Sequence, residues 1–231
     1  MEDQASPCAG TSTAERVEAL FTRSDGAFRF ARWGRALAPA YFGIDPGGEY
    51  LFREALGAVT GLGGLDLVDE DPELGANALH FFCRDWSELR AVPGLDRLVP
   101  DRDRLLTVLA ASGANQYRIF GFEPDSAGAP GAIRIAITLI RYDADLGRLP
   151  AQVLAMSQCV QSLLLWSDHA FTAESPVAES PTAVLKAGGR SIVKPWYQAL
   201  IRAAYDPALP CATDNAAHAG RIAARMPAAG I

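Results

Sequence analysis

The sequence predicts an α+β fold in which helices pack on one mixed β-sheet. The first observation behind this prediction is that helical and strand-like segments alternate, with the longest helices following the strongest strand. The second is that 231 residues with 49% hydrophobic content can bury one large core. We therefore expect a main domain at 25–210, preceded by a segment with a short helix at 1–24 and followed by a tail with a short helix at 211–231.

Six segments have helical spacing of apolar residues or helix-capping residues at their start. In the clearest of them, Glu49–Leu62, apolar residues recur every three to four positions until a glycine-rich stretch ends the pattern. The predicted helices run from Ser12 or Thr13 to Arg23, and over Glu49–Leu62, Asp101–Ala111, Pro150–Trp166, Ile192–Tyr205 and Asn215–Met226.

Five segments have the β-branched, aromatic or alternating composition of strands. They are Ala27–Trp33, Leu65–Val68, Ala76–Phe82, Tyr117–Phe122 and Ile133–Tyr142. The last, IRIAITLIRY, is almost continuously apolar, which predicts a strand inside the sheet. The stretch Thr172–Thr182 is rich in Ala, Ser, Pro and Glu and is predicted to be an exposed loop.

Composition argues against two classes of partner. The net charge of −6 comes from interspersed charges, and no basic cluster could follow a phosphate backbone, so we expect no nucleic-acid partner. The most apolar window, Val153–Trp166, is shorter than the roughly 20 residues of a membrane helix. The start, MEDQASPCAG, lacks the features of a secretory signal. The expected compartment is the cytoplasm, or the periplasm or exterior if an export signal has been removed.

The four cysteines, Cys8, Cys83, Cys159 and Cys211, lie far apart and form no CxxC pair. This spacing argues against zinc-ribbon and thioredoxin-like sites. Two alternatives remain, namely buried free thiols, or two disulfides in an exported protein. Cys83–Cys159 is a candidate pair, because a predicted strand segment and a predicted helix carry these two residues.

The stretch SQCVQSLLLWSDHAF, Ser157–Phe171, places Ser157 and Gln161 four residues apart on one helical face. This is the spacing of the HExxH motif, in which two histidines bind one zinc ion and a glutamate activates the zinc-bound water. The spacing itself is generic, whereas the zinc chemistry depends on residue types that are absent from this stretch.

The segment WYQALIRAAYDPALP, Trp196–Pro210, resembles the closing helix and YDP exit of a bacterial family designated domain of unknown function 2927. Members of that family resemble metzincin-type zinc peptidases that have lost their metal site. The resemblance extends over about Phe28–Arg221 and implies a zincin-like fold, with an active-site-type helix and a C-terminal helix packed on a central mixed sheet. It also implies that IRIAITLI is the edge strand of that sheet.

When the metzincin pattern HExxHxxGxxH is placed on this chain, every functional position holds a different residue. The three zinc-ligand positions are Ser157, Gln161 and Ser167, the general-base position is Gln158, and the helix-ending glycine is Leu164. Hydroxyl and amide groups are poor zinc ligands, and a neutral amide cannot act as a base. The resemblance therefore implies no zinc, no other cofactor, and a helix that continues past Leu164.

Two functional hypotheses follow. In the first, the protein is a catalytically inactive zincin-like module whose groove beside an edge strand binds an extended peptide or protein segment. In the second, it is a hydrolase with a relocated site built from His80, Asp168 and His169, or from Cys159 with one of these histidines. Each of these residues also has a structural interpretation, as a core histidine, a capped surface turn or a buried thiol.

Two further segments are interpreted as structural. The acidic stretch DLVDEDPE, Asp66–Glu73, lacks the spacing of a calcium-binding EF-hand and is predicted to be a solvated turn. His218 lies in the alanine-rich tail and is predicted to face solvent.

Overall fold

The computed structural model describes residues 11–124, 130–172, 174–178 and 193–227. The strands in these ranges are β1 (Phe30–Ala31), β2 (Pro39–Phe42), β3 (Ala78–Cys83), β4 (Gln116–Pro124), β5 (Pro130–Arg141) and β6 (Ala212–Thr213). The α-helices there are α1 (Thr13–Ala19), α2 (Pro46–Thr60), α3 (Leu95–Leu98), α4 (Arg102–Ser112), α5 (Ala151–Leu163), α6 (Pro195–Ala204) and α7 (Ala217–Ala223). Short 3₁₀ helices lie at Trp86–Ala91 and Leu146–Arg148.

Parts of several predicted segments lie outside the described residues. These parts are residues 1–10 of the N-terminal segment, 173 and 179–182 of the loop predicted at Thr172–Thr182, the first residue of the helix predicted to begin at Ile192, and residues 228–231 of the tail. In the part of the chain that is described, no helix combines the length and the apolar character needed to cross a membrane.

Four strands form an open mixed sheet in the order β2, β3, β5, β4. Strands β2, β3 and β5 run parallel, and β4 pairs antiparallel with β5. The α+β prediction is therefore confirmed, and the strand predicted at Ile133–Tyr142 does lie inside the sheet. The edge position that the resemblance implied for IRIAITLI is wrong, because β4 pairs with the outer side of β5.

Helices cover both faces of this sheet. On one face, α2 and α5 pack on each other and form the main hydrophobic core, which also includes residues of α1 and α6. On the other face, α3, α4 and the 3₁₀ helix Trp86–Ala91 form a second core with β3 and β5. Because β5 is buried from both sides, its sequence is apolar at almost every position instead of alternating.

Local capping sets the start of α2. The side chain of Asp45 accepts hydrogen bonds from the backbone N–H groups of Gly47 and Gly48, and Pro46 occupies the first turn. The helix therefore begins before the predicted start at Glu49, since caps and not apolar spacing determine where its first turn forms.

The strand pattern of the N-terminal half differs from the prediction. The segment Leu65–Val68 forms no strand and makes only an isolated bridge between Leu67 and Leu37. The strand that joins the sheet is β2, whose residues PAYF carry no alternating pattern because most of their side chains are half-buried. β2 begins with Pro39, which an edge strand tolerates because one of its sides donates no ladder hydrogen bonds.

Asp71 is buried, so the prediction that its segment is a solvated turn is wrong at this residue. Its Oδ1 accepts hydrogen bonds from the N–H groups of Glu73 and Leu74, both at 2.9 Å. Its Oδ2 accepts from Asn77 Nδ2 at 3.0 Å and from Arg35 Nη1 at 3.2 Å. Burial alone would raise the pKa of Asp71, but these hydrogen bonds together hold it below its ordinary value.

The two ends of the described chain pack on each other. Helix α1 contacts α7, and β6 pairs antiparallel with β1. Ser12 caps α1 and forms a reciprocal capping box with Glu15. The prediction that His218 faces solvent is wrong: it is 1% exposed, and its ring centroid lies 4.4 Å from that of Phe30. The pairing of β6 with β1 brings α7 and this histidine onto the core.

Cys83, Cys159 and Cys211 are free thiols. Cys83 belongs to the core on one face of the sheet and Cys159 to the core on the other face. The Cys83–Cys159 pair is therefore wrong, because the sheet separates the two sulfur atoms. Cys8 lies outside the described residues.

Candidate functional site

Helix α5 and the residues after it contain the five substituted motif positions. The helix begins after Pro150, packs on α2, and ends at Leu163. Leu164 is extended, with φ −133° and ψ 156°, and forms a bridge with Arg32. The prediction that the helix continues past Leu164 is wrong, because the backbone leaves the helix at this point to pair with the segment that follows β1.

Three aromatic side chains bind the carbonyl groups at the C-terminus of α5. The hydrogen bonds run from Trp166 Nε1 to Val160 O at 3.0 Å, from Trp33 Nε1 to Ser162 O at 2.8 Å, and from Tyr205 Oη to Leu163 O at 2.6 Å. The last four carbonyl groups of a helix have no hydrogen-bond donor within the helix. These side chains supply donors for three of them, as the backbone N–H groups of a glycine C-cap motif do in other helices. Tyr205 is the tyrosine of the YDP segment, which thereby has a structural role next to the candidate site.

We expect Tyr205→Phe to lower the free energy of unfolding by about 1–3 kcal/mol, because the buried carbonyl of Leu163 loses its donor while the ring is kept. Equilibrium urea unfolding measures the change. Tyr50→Phe is the matched control, since it removes a hydroxyl from a tyrosine that is 67% exposed. Equal losses in the two variants would contradict a specific role for the Tyr205 hydroxyl.

Arg118 ties the polar side chains of α5 to the edge strand β4. Its Nη1 donates to Gln161 Oε1 at 2.8 Å, and its Nη2 donates to Gln158 Oε1 and, at 3.3 Å, to Gln116 Oε1. Gln158 Nε2 donates to Gln116 Oε1 at 2.8 Å, and Gln161 Nε2 donates to Ser157 Oγ at 3.0 Å. The Arg118 guanidinium thus hydrogen-bonds to Gln158, at the general-base position of the metzincin pattern, and to Gln161, at one of its zinc-ligand positions.

Arg118 is a half-buried cation whose partners are all neutral. None of the described carboxylates forms an ion pair with it, and its Nε is shielded from solvent without a hydrogen-bond partner. Burial lowers the pKa of the Arg118 guanidinium to about 10, so it remains charged at neutral pH. A fixed positive charge therefore lies beside the polar face of α5, where it attracts anions and repels metal ions.

Arg118 also ends a row of polar side chains on one rung of the sheet. The register pairs Tyr41 with His80, His80 with Thr138, and Thr138 with Arg118, so the four side chains share one face. His80 is 1% exposed, stacks on Tyr41 with centroids 5.1 Å apart, and has no described partner for either ring nitrogen. Burial lowers the pKa of His80 to about 3, and Arg118 acts in the same direction. His80 is therefore a neutral imidazole beneath α5.

The other two motif positions lie apart from this network. Leu164 is fully buried in the main core. Ser167 is tied to the end of α1, because its N–H donates to Leu20 O at 2.8 Å and its hydroxyl lies 3.4 Å from Ala19 O. The structure thus joins Ser157, Gln158 and Gln161 in one hydrogen-bond network, whereas Ser167 lines a cavity together with Gln161 and Arg118 but forms none of the hydrogen bonds described for this network.

The residues proposed for a relocated hydrolytic site lie in different environments. Asp168 and His169 are adjacent surface residues, and Asp168 Oδ2 lies 3.6 Å from His169 Nε2. His80 and Cys159 are buried, and burial raises the pKa of the Cys159 thiol well above its ordinary value. A neutral, inaccessible thiol is a poor nucleophile. Among the described residues, no group of three or more His, Cys, Asp or Glu side chains is arranged to hold a metal ion.

A groove follows the outer edge of β4, and we call it the β4 cleft. It consists of two adjoining cavities of about 770 and 490 Å³, which share the lining residues Arg23, Tyr117, Arg118, Phe120 and Leu165. The larger cavity also borders residues of β1 and β6. Among the described strands, β4 is the last of the sheet on this side, so its outer backbone groups have no ladder partner.

A separate cavity, of about 550 Å³, lies outside the β4 cleft, at the carboxyl ends of the three parallel strands. Its titratable lining groups are largely occupied by the fold. Asp45 caps α2, Glu88 accepts a hydrogen bond from the N–H of Asp85, and burial raises the pKa of Cys83 to about 12. These groups are not free to act as a nucleophile or a general base.

Sequence patterns missed Arg118 and Gln116, which hold the network together. A usable signal was present, because these two polar residues lie two positions apart in a strand and share a face with Phe120. A charged residue on the inner face of a strand normally has a specific partner. The partners lie on α5, about 40 residues later in the chain, and only the fold reveals them.

The candidate site is thus a polar, positively charged cleft between β4 and α5. Its cation is held by three glutamine side chains, and in the sheet Arg118 is paired with Thr138, which is in turn paired with the buried His80. No protein-family model, no curated protein and no solved structure matches this chain at a significant level.

Proposed function

We propose that this protein is a metal-free, zincin-like binding module related to the domain of unknown function 2927 family, and that its β4 cleft binds an extended segment of a peptide or protein partner. Two features support the zincin-like arrangement. An antiparallel edge strand lies beside the helix that carries the motif spacing. That helix ends at Leu163, directly before the position of the metzincin glycine.

The observation that carries the proposal is the position of the Arg118 guanidinium. It bonds Gln158 and Gln161, which stand at the general-base and zinc-ligand positions of the metzincin pattern. A divalent ion about 4 Å from this charge would be repelled by roughly 8 kcal/mol at an effective dielectric constant of about 20. The amide oxygens that could coordinate a metal already accept hydrogen bonds from the guanidinium. We therefore propose that zinc peptidase chemistry does not occur at this site.

The free edge of β4 supports the binding function. Arg141 N–H donates to Asn115 O at 2.8 Å, and hydrogen-bonded pairs alternate along an antiparallel ladder. The backbone groups of Gln116, Arg118 and Phe120 therefore point away from β5, into the β4 cleft. An extended partner could add to the sheet by pairing with these groups.

We expect elemental analysis to find less than about a tenth of an equivalent of zinc in protein purified without added metal or a metal-binding tag. Added zinc should leave the melting temperature unchanged, because a ligand that does not bind the folded state does not stabilise it. About one equivalent of zinc, together with peptidase activity that a chelator abolishes, would contradict the proposal.

Strand addition is tested with pairs of peptides that have identical side chains. We expect N-methylation of alternate residues on the edge that faces β4 to weaken binding by about tenfold or more, because it removes several backbone donors. Methylation of the residues between them is the matched control and should have little effect. If both methylated peptides bind as well as the parent, the partner does not add to β4.

A further inference from the structure

The charge of the β4 cleft indicates what kind of segment it binds. Three arginines, Arg23, Arg29 and Arg118, line the larger cavity, and Asp214 is the acidic residue in its described lining. Arg23 and Arg118 also line the smaller cavity, where Asp168 is the acidic residue of the described lining. Neither arginine forms an ion pair with a described residue. Arg29 has a distant contact of 4.0 Å with Asp25. The two cavities together are lined by three arginines and two aspartates, which is a local excess of positive charge in a protein whose formal net charge is −6.

Arg118 is the central member of this group. It lies at the edge strand itself, lines both cavities, and is restrained by hydrogen bonds from its two terminal nitrogens to three neutral amide oxygens. A partly desolvated guanidinium without a carboxylate gains more from an incoming anion than an exposed one does, because less water must be displaced and screening is weaker. The Arg118 guanidinium is thus positioned to form an ion pair with a carboxylate of a bound partner.

Strand geometry fixes where that carboxylate would lie. On adjacent strands, residues opposite each other point to the same face, and opposite charges at such positions attract. A partner residue opposite Arg118 would therefore project toward the α5 side of the sheet. The partner residue two positions away would lie opposite Phe120, which faces the same side and lines both cavities.

Resting on the proposed function, we infer that the partner segment carries an Asp or Glu opposite Arg118 and an apolar residue two positions from it, on the side of Phe120. The cleft therefore selects an extended segment with a three-residue pattern, in which an acidic residue is followed by a residue of any type and then by an apolar residue, in either chain direction. The partner is an acidic peptide segment and not a basic one.

The test uses acetylated and amidated peptides of sequence Thr-Val-Thr-Glu-Thr-Val-Thr, with Gln or Lys replacing Glu in two matched peptides. The sequence is symmetric, so the pattern is presented in either strand direction. We expect the Glu peptide to bind about tenfold or more tightly than the Gln peptide, and the Lys peptide to bind most weakly. The advantage of the Glu peptide should shrink as salt is added.

The preference should depend on Arg118. We expect Arg118→Gln to bring the affinities for the Glu and Gln peptides within about twofold of each other, and Arg118→Lys to keep part of the difference. Arg23→Gln, on the accessible lining, should reduce the preference by a smaller factor and serves if Arg118→Gln does not fold. Arg104→Gln is the matched control, because Arg104 is exposed on α4, and it should leave the preference unchanged.

The outcomes separate this inference from the proposed function. If the Glu and Gln peptides bind the wild-type protein equally well, the acidic preference is overturned while strand addition stands. If the preference survives in both Arg118→Gln and Arg23→Gln, the placement of the acidic residue opposite Arg118 is overturned while strand addition stands. If none of the three peptides binds at millimolar concentration, strand addition and the acidic preference are both overturned.

Discussion

Asn77→Ala is expected to lower the free energy of unfolding by about 3–5 kcal/mol. Asn77 is fully buried and uses its whole side chain: Oδ1 accepts from Ala38 N–H at 2.8 Å, and Nδ2 donates to Ala36 O at 2.9 Å and to Asp71 Oδ2 at 3.0 Å. The substitution removes the hydrogen-bond partner of three interior groups, namely the N–H of Ala38, the carbonyl of Ala36 and Oδ2 of Asp71. Each such loss costs about 1–3 kcal/mol.

Urea unfolding at neutral pH, followed by circular dichroism, measures this effect. Asn215→Ala is the matched control, because the same amide is removed from an exposed turn where its Oδ1 accepts one hydrogen bond, from Ala217 N–H. The control should cost about 1 kcal/mol or less. If Asn77→Ala costs no more than the control, the amide does not hold the acidic turn against β2 and β3 in the way the structure indicates.

Lowering the pH from 7 to 5 is expected to remove about 2 kcal/mol of stability through His80. His80 is neutral in the folded protein, since burial lowers its pKa to about 3, whereas an exposed histidine has a pKa of about 6.5. The unfolded chain therefore binds a proton that the folded chain does not. This contribution is fully present above about pH 6.5 and is lost as the pH falls toward the folded value.

Among the described residues, none hydrogen-bonds to a ring nitrogen of His80 and so could offset its protonation. Tyr41 and Phe52 contact its ring, and the positive charge of Arg118 opposes a second cation. His218 acts in the same direction, because burial first and then Arg221, Arg32 and Arg225 lower its pKa to about 4. The observed loss should therefore exceed the contribution of His80 alone.

The measurement is the slope of unfolding free energy against pH between about 6.5 and 5. We expect His80→Leu to reduce this slope by about 1 kcal/mol per pH unit on average, whatever its stability at neutral pH. His169→Leu is the matched substitution, because it makes the same change at a side chain that is 61% exposed. A slope that is the same in wild type and His80→Leu would show that His80 takes up its proton in the folded state.

Much of the fold could be predicted from local sequence. The helix at Glu49–Leu62 has strong apolar spacing and appears as α2, and the β-branched run at Ile133–Tyr142 appears as β5. Both patterns arise from burial of one element against another, which leaves a periodic trace in the chain. β2 was missed because it is short and half-buried and therefore leaves no such trace.

The candidate site was predictable only in part. The four-residue spacing on α5 and the absence of zinc-binding side chains at those positions can be read directly from the sequence. The end of α5 was mispredicted at Leu164, because the groups that satisfy its last carbonyls come from Trp33, Trp166 and Tyr205. Trp33 lies 129 residues and Tyr205 42 residues along the chain from the carbonyl group that each one binds. Helix propensity depends on local sequence, so it cannot predict such distant partners.

The α+β class, the helix with motif spacing and the absence of zinc-binding side chains at the motif positions could be read from the amino-acid sequence, because these features depend on residue type and local periodicity. Only the tertiary structure shows that Arg118 hydrogen-bonds to Gln158 and Gln161, and that His80 is buried on the same face of the sheet. These facts depend on the antiparallel pairing of β4 with β5 and on the packing of α5 over the sheet. Contacts between distant segments set the burial and charge of each group, and burial and charge determine what the site can bind.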